Sequence, residues 1–134
     1  MKKFANVFFL ELIYRLSDVI TKADSGDKQD IIMPVLTYIN ANYNKQLSLD
    51  ELAQKSGYSK SRVSHIFAEV MYTTPVKYQS EIRLRAAGEM LSATTLSVTE
   101  IALSCGFSDP LYFSRLFKKR YGISPSEYRT QKSD

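Results

Sequence analysis

The stretch GFSDPLYFSRLFKKRYG, Gly106 to Gly122, sets five aromatic rings among four cationic side chains. Read as a helix at 100° per residue, Phe113, Leu116, Phe117 and Tyr121 share one arc, the face of a core. Leu111, Arg115, Lys118 and Lys119 lie opposite, with Tyr112 and Ser114 on the flanks. Outward guanidinium and ammonium groups are the donors that bind phosphates and base edges. A solvated helix face has the same composition, so the segment alone leaves both readings open. A second stretch, SKSRVSHIFAEVM, has the same arrangement. Val63, Ile66, Phe67 and Val70 face one way, and Ser61, His65 and Glu69 the other, with Arg62 and Ser64 on the flanks.

Other chemistries have little to work with. The chain holds one histidine, His65, and one cysteine, Cys105, too far apart in sequence pattern to form a triad. One cysteine also excludes a disulfide framework and a multi-cysteine zinc site. No GxGxxG, P-loop or metal-ligand spacing occurs. The reading is therefore not an enzyme, with no catalytic residue, cofactor or metal. The sparing use of cysteine fits a reducing, cytoplasmic setting.

These side chains need elements to position them, and the 134 residues suffice for one ordinary domain or two very small ones. The absence of Trp and the scarcity of Gly and Pro favour helices over a turn-rich β fold. The formal net charge of +4 is uneven: residues 1–54 carry −1 and residues 55–134 carry +5. A basic half points to a polyanion partner. The start, MKKFANVFFLELIYRL, is too short and too charged to span a bilayer, and no small-residue cleavage site follows it, so no membrane role is expected. It reads as an amphipathic helix, and Thr21–Asp30 as a linker.

Helix signals then recur. Ile32, Val35, Leu36 and Ile39 share one face, with Pro34 read as part of a first turn. Ser48 and Glu51 form a capping-box pattern that ends at Gly57. Thr74 and Pro75 open a long helix that is apolar on more than one side, as a helix between two bodies must be. Ser97 and Glu100 form another capping box, and Ser124, Pro125 and Glu127 start a last short helix. The pattern is a repeat. LSLDELAQKSGYS matches LSVTEIALSCGFS at an offset of 49, after which Ser64/Ser114, Phe67/Phe117, Pro75/Pro125 and Tyr78/Tyr128 match at an offset of 50.

Each copy reads helix, glycine turn, helix. Gly57-Tyr58-Ser59 and Gly106-Phe107-Ser108 are the turns, each with an aromatic to fill the angle. That is a helix-turn-helix, whose second helix can enter a DNA major groove. From Ile31 to Arg129 the sequence resembles the DNA-binding domain of AraC/XylS-type transcription regulators. IALSCGFSDPLYFSRLFKKRYGISPSEYR and LSLDELAQKSGYSKSRVSHIF carry the likeness.

The resemblance implies an all-α fold of two homeodomain-like helix-turn-helix subdomains joined by a long linker helix. The DNA-binding domain is expected over 30–134, with a first unit at 30–74, the linker helix at 75–92 and a second unit at 96–130. Residues 1–29 would be the remnant of an upstream regulatory or dimerisation domain, through which a homodimer could form. The expected function is a sequence-specific, bacterial-type regulator, an activator, reading two successive major grooves of double-stranded DNA and engaging RNA polymerase. Base contacts would come from Ser61, Arg62, Ser64 and His65 and from Leu111, Ser114 and Arg115. Arg62 and Arg115 suit bidentate guanine recognition. Lys60, Lys118 and Lys119 suit phosphates. The alternative is a helical protein-interaction module that keeps the aromatic core and has lost specific DNA binding.

Overall fold

A computed structural model of the chain describes residues 27–132. The amphipathic start and most of the linker lie outside the described residues. The described residues form seven helices and no strand: α1 (Lys28–Ala41), α2 (Leu49–Ser56), α3 (Lys60–Met71), α4 (Pro75–Ala93), α5 (Val98–Ser104), α6 (Pro110–Tyr121) and α7 (Pro125–Lys132). The all-α class, with two helix-turn-helix units on one linker helix, holds. Helices α2 and α3 form the first pair and α5 and α6 the second.

Local chemistry fixes most boundaries. Ser48, Ser59, Thr74 and Ser97 each accept a hydrogen bond from a backbone N–H in the first turn of the helix they start. Ser97 and Glu100 complete the reciprocal box, as do Ser124 and Glu127. The box read at Ser48 is only half made. Glu51 instead accepts from the Tyr38 hydroxyl on α1, so this cap doubles as a tie between helices. Pro34 also departs from its expected place. It lies inside α1 rather than in a first turn, because the helix starts at Lys28. Burial of Ile31, Ile32, Val35, Leu36 and Ile39, all fully covered, outweighs the backbone bond that proline forfeits.

The repeat in sequence is a repeat in space. Phe67 meets Tyr78 edge to face at 5.7 Å, and their counterparts Phe117 and Tyr128 do so at 5.2 Å. Helix α4 buries Ile82, Leu84, Ala86, Ala87, Met90 and Leu91, covering more than one of its sides. Gly88 lets α7 come close: a Cβ there would stand 3.4 Å from the Tyr128 hydroxyl. Arg129 on α7 then donates to the carbonyls of Leu91 (3.0 Å) and Leu96 (2.6 Å), closing the end of α4. Cys105 is fully buried, and burial pushes its thiol up to about 12, so it stays protonated at neutral pH and packs as a small apolar side chain.

The repeats differ at one helix end. Helix α6 stops at Gly122 with φ +84°, whereas α3 stops at Tyr72 with φ +57° and a side chain 91% exposed. A non-glycine residue in the left-handed region costs about 1–2 kcal/mol, against about 0.5–1 kcal/mol for the backbone freedom that glycine loses. Tyr72→Gly is therefore expected to stabilise the fold by about 0.5–1 kcal/mol, read as a rise of a few degrees in Tm. A lower Tm would mean that the exposed ring makes a contact worth more than the strain.

Candidate nucleic-acid interface

The N-terminus of α3 presents the first group of outward side chains. Ser59 caps the helix by accepting from the Arg62 N–H at 3.1 Å. Lys60, Ser61, Ser64 and His65 then share one hollow with Leu49 and Ala68. All four are exposed. Lys60 stands 3.2 Å from Asp50, and His65 lies 3.4 Å from Glu69, one turn along the same helix.

Arg62 is placed apart from them. Its guanidinium turns to the start of α1 and binds Asp27 through two nitrogens, Nη2 to Oδ1 at 2.8 Å and Nε to Oδ2 at 3.2 Å. Lys28 pairs with Glu69 beside it, so two ion pairs tie the start of α1 to α3. The Arg62 hydrogen bond holds the Asp27 carboxyl below its ordinary value, and Lys28 does the same for Glu69. Both folded values lie below the unfolded ones, so the pairs are intact at neutral pH and are lost as pH falls through the lowered carboxylate range. Lower amide protection factors at the start of α1 in acid, relative to the intrinsic exchange rate at the same pH and before the core opens, are the expected outcome. Unchanged protection there would mean that the pairs do not hold this end.

In the second unit Asp109 caps α6 by accepting from the Leu111 N–H at 3.0 Å, with Pro110 at the first helical position. Leu111 is 74% exposed, Arg115 is exposed and Ser114 is half-buried. Arg115 has no ion pair or hydrogen bond among the described residues. Lys118 and Lys119 are exposed on the last turns. Arg120, which follows them, is bound to Glu81 of α4 with Nε at 3.0 Å. Tyr112 takes the repeat position of Arg62; it is half exposed and lines a hollow with Val76, Ser80 and Gln79 of α4. The second and sixth residues of each second helix are exposed, as is the fifth of α3.

A run of hollows links the start of α3 to the Tyr112 and Lys119 side of α6. The hollow beside Ser61 and His65 adjoins one lined by Leu47, Leu49, Ser64 and Val76. Val76 also lines the next hollow, which ends at Ser108 and Tyr112, and a cleft of about 490 Å³ that reaches Lys119. Among the described residues no group of three His, Cys, Asp or Glu side chains could hold a metal ion, and no helix is long and apolar enough to cross a membrane. Sequence reasoning missed Asp27 and Lys28 as partners of α3, and Gln79 and Arg83 as ties from α4 to the loop after α1.

Comparison with known proteins places this geometry. A family model described as a helix-turn-helix domain matches residues 52–131. The chain is 36% identical over 102 residues to the HTH-type transcriptional activator AarP of Providencia stuartii, covering 76% of each chain. It spans 43%, 42% and 32% of the length of three other curated regulators that it matches. A crystal structure of an AraC-type transcriptional regulator from Chromobacterium violaceum superposes with a TM-score of 0.74 at 31% identity, over 81% of this chain and 97% of that one. The DNA-binding domain of AdpA, solved in complex with a target DNA, superposes with a TM-score of 0.67 at 25% identity, over 72% and 87% of the two chains.

Proposed function

From the premise that the chain belongs to the AraC-type helix-turn-helix transcription regulators, we propose that residues 30–134 read a two-block DNA site with α3 and α6. The observation that carries this is the exposure of Ser61, Ser64 and His65 on α3 and of Leu111 and Arg115 on α6, with Ser114 half-buried between them. Arg115 takes a guanine through its forked donors, and Leu111 meets a thymine methyl. The serines and His65 bond base edges or phosphates. Lys60, Lys118 and Lys119 neutralise phosphates and give binding its salt dependence. Arg62 belongs at the margin, since its Nε and Nη2 already bond Asp27. A bidentate base contact through that edge requires exchanging the carboxylate for the base.

Bound DNA then serves transcription. Activation through RNA polymerase is the reading supported by the likeness to the activator AarP, and a promoter reporter with and without the protein gives its sign.

Selection on a random duplex pool, followed by sequencing of the bound fraction, tests the site. Two enriched blocks about 10 base pairs apart, one helical turn, are the expected result. A single block would reduce one unit to a positioning role. No enrichment, with weak binding that falls steeply in salt, would overturn sequence-specific reading. A protein-interaction role draws on one observation: Leu111, Tyr112 and Val76 are apolar and at least half exposed. Arg115→Glu separates the two, since it abolishes DNA binding and leaves an apolar contact intact.

A further inference from the structure

Two side chains one turn apart on α4 hold the loop between α1 and α2. Gln79 Nε2 donates to the carbonyls of Tyr43 at 3.1 Å and Lys45 at 2.7 Å. Arg83 reaches the same two groups, Nε to the Tyr43 carbonyl at 2.6 Å and Nη2 to that of Lys45 at 2.9 Å. Neither carbonyl lies in a helix, so these side chains supply the partners that the loop lacks.

Arg83 also touches the second unit. Its guanidinium carbon stands 5.6 Å from the centre of the Phe107 ring, within cation–π range. Gly106, beside that ring, lies against the same group: a Cβ there would meet Asn44 Cα at 2.8 Å and Arg83 Cζ at 2.9 Å. The turn of the second unit thus rests on the loop of the first and on the side chain that holds the loop. Gln79 secures the loop without Phe107, so loss of Arg83 leaves the loop on α4 and removes the one side chain shared by the loop and the Phe107 ring, while the approach of Gly106 to the Asn44 backbone remains.

From this junction we infer that Arg83 is the positioning residue that sets the spacing and rotation between α3 and α6, and hence the one separation of DNA blocks that the protein accepts. The inference rests on the two-block reading proposed above. One extra base pair displaces a block by about 3.4 Å and turns it by about 35°. A joint that gives by less than that selects one spacing, and a loosened joint accepts several.

The test uses the full chain and fluorescence anisotropy on duplexes with both blocks at the selected spacing, with one or two base pairs added or removed, and with one block scrambled. The unaltered protein is expected to lose about tenfold in affinity on a changed spacing. Arg83→Met is expected to bind the selected spacing about fivefold more weakly, to cut the spacing penalty to about twofold, and to leave the single-block duplex unchanged. An equal loss on every duplex, with the spacing preference intact, overturns the inference and leaves Arg83 a stabilising residue only. Should Arg83→Met fail to fold, Arg83→Lys takes the same measurement, having one ammonium for two carbonyls and no planar face for Phe107. A relaxed preference then supports the assignment, and an unchanged one overturns it. The two-block reading fails separately, in the unaltered protein, if that protein prefers no spacing at all, and the inference falls with it.

Discussion

Gly106→Ala is expected to destabilise the protein by about 2–5 kcal/mol, against about 1 kcal/mol for Gly57→Ala at the matching turn of the first unit. Both glycines have positive φ, +101° and +80°, so alanine is strained at either. What separates them is the space around them. Nothing lies within 4 Å of a Cβ built on Gly57, whereas at Gly106 the Asn44 Cα and carbonyl oxygen stand at 2.8 Å. Those are backbone atoms and cannot swing away as the end of a long side chain could. The added methyl must push the first unit's loop off the second unit's turn, an overpacking cost of about 1–3 kcal/mol on top of the strain. In thermal melts the expected drop in Tm is about 10 °C or more for Gly106→Ala and a few degrees for Gly57→Ala. Equal drops would mean that the two units are not in direct backbone contact at this point.

That contrast shows which parts of the molecule were written locally. The caps at Ser97, Thr74 and Ser124 and the turns at Gly57 and Gly106 depend on residues within four positions of one another, so spacing alone revealed them. The core arcs of α3 and α6 were legible for the same reason, and the repeat paired Phe67 with Phe117 before any geometry was known. Where the reading strayed, a partner distant in sequence had intervened. Glu51 stays bonded to the Ser48 hydroxyl but gives its other oxygen to Tyr38, 13 residues away, and Arg62 turns to Asp27, 35 residues away. Pro34 sits inside α1 because the apolar face of that helix extends to Ile31. The Arg83 junction was invisible for the plainest reason: its acceptors are main-chain carbonyls, which no residue type announces.

Arg115→Ala is expected to cost about 1–3 kcal/mol of specific DNA binding, roughly five- to 150-fold in Kd, and to flatten the preference at one base pair only. The side chain is exposed, has no partner among the described residues, and projects from the same face of α6 as Leu111. Its planar fork therefore meets DNA without first giving up another bond, and methionine or lysine cannot reproduce two parallel donors. Lys118→Ala should behave differently. A phosphate contact carries no base information, so binding weakens evenly across sequences and the salt slope falls by about 1. Arg62→Ala supplies the third comparison. Its Nε and Nη2 are held by Asp27, so the expected change in base preference is small, and affinity shifts mainly as far as α3 loses its brace. Anisotropy titrations of the three variants against the selected duplex and its single-base variants, each over a range of salt, separate these roles. If Arg115→Ala weakens every duplex equally and lowers the salt slope, the guanidinium sits on a phosphate. Base reading by the second unit would then fall to Ser114 and Leu111, a serine and an apolar side chain with far less power to discriminate.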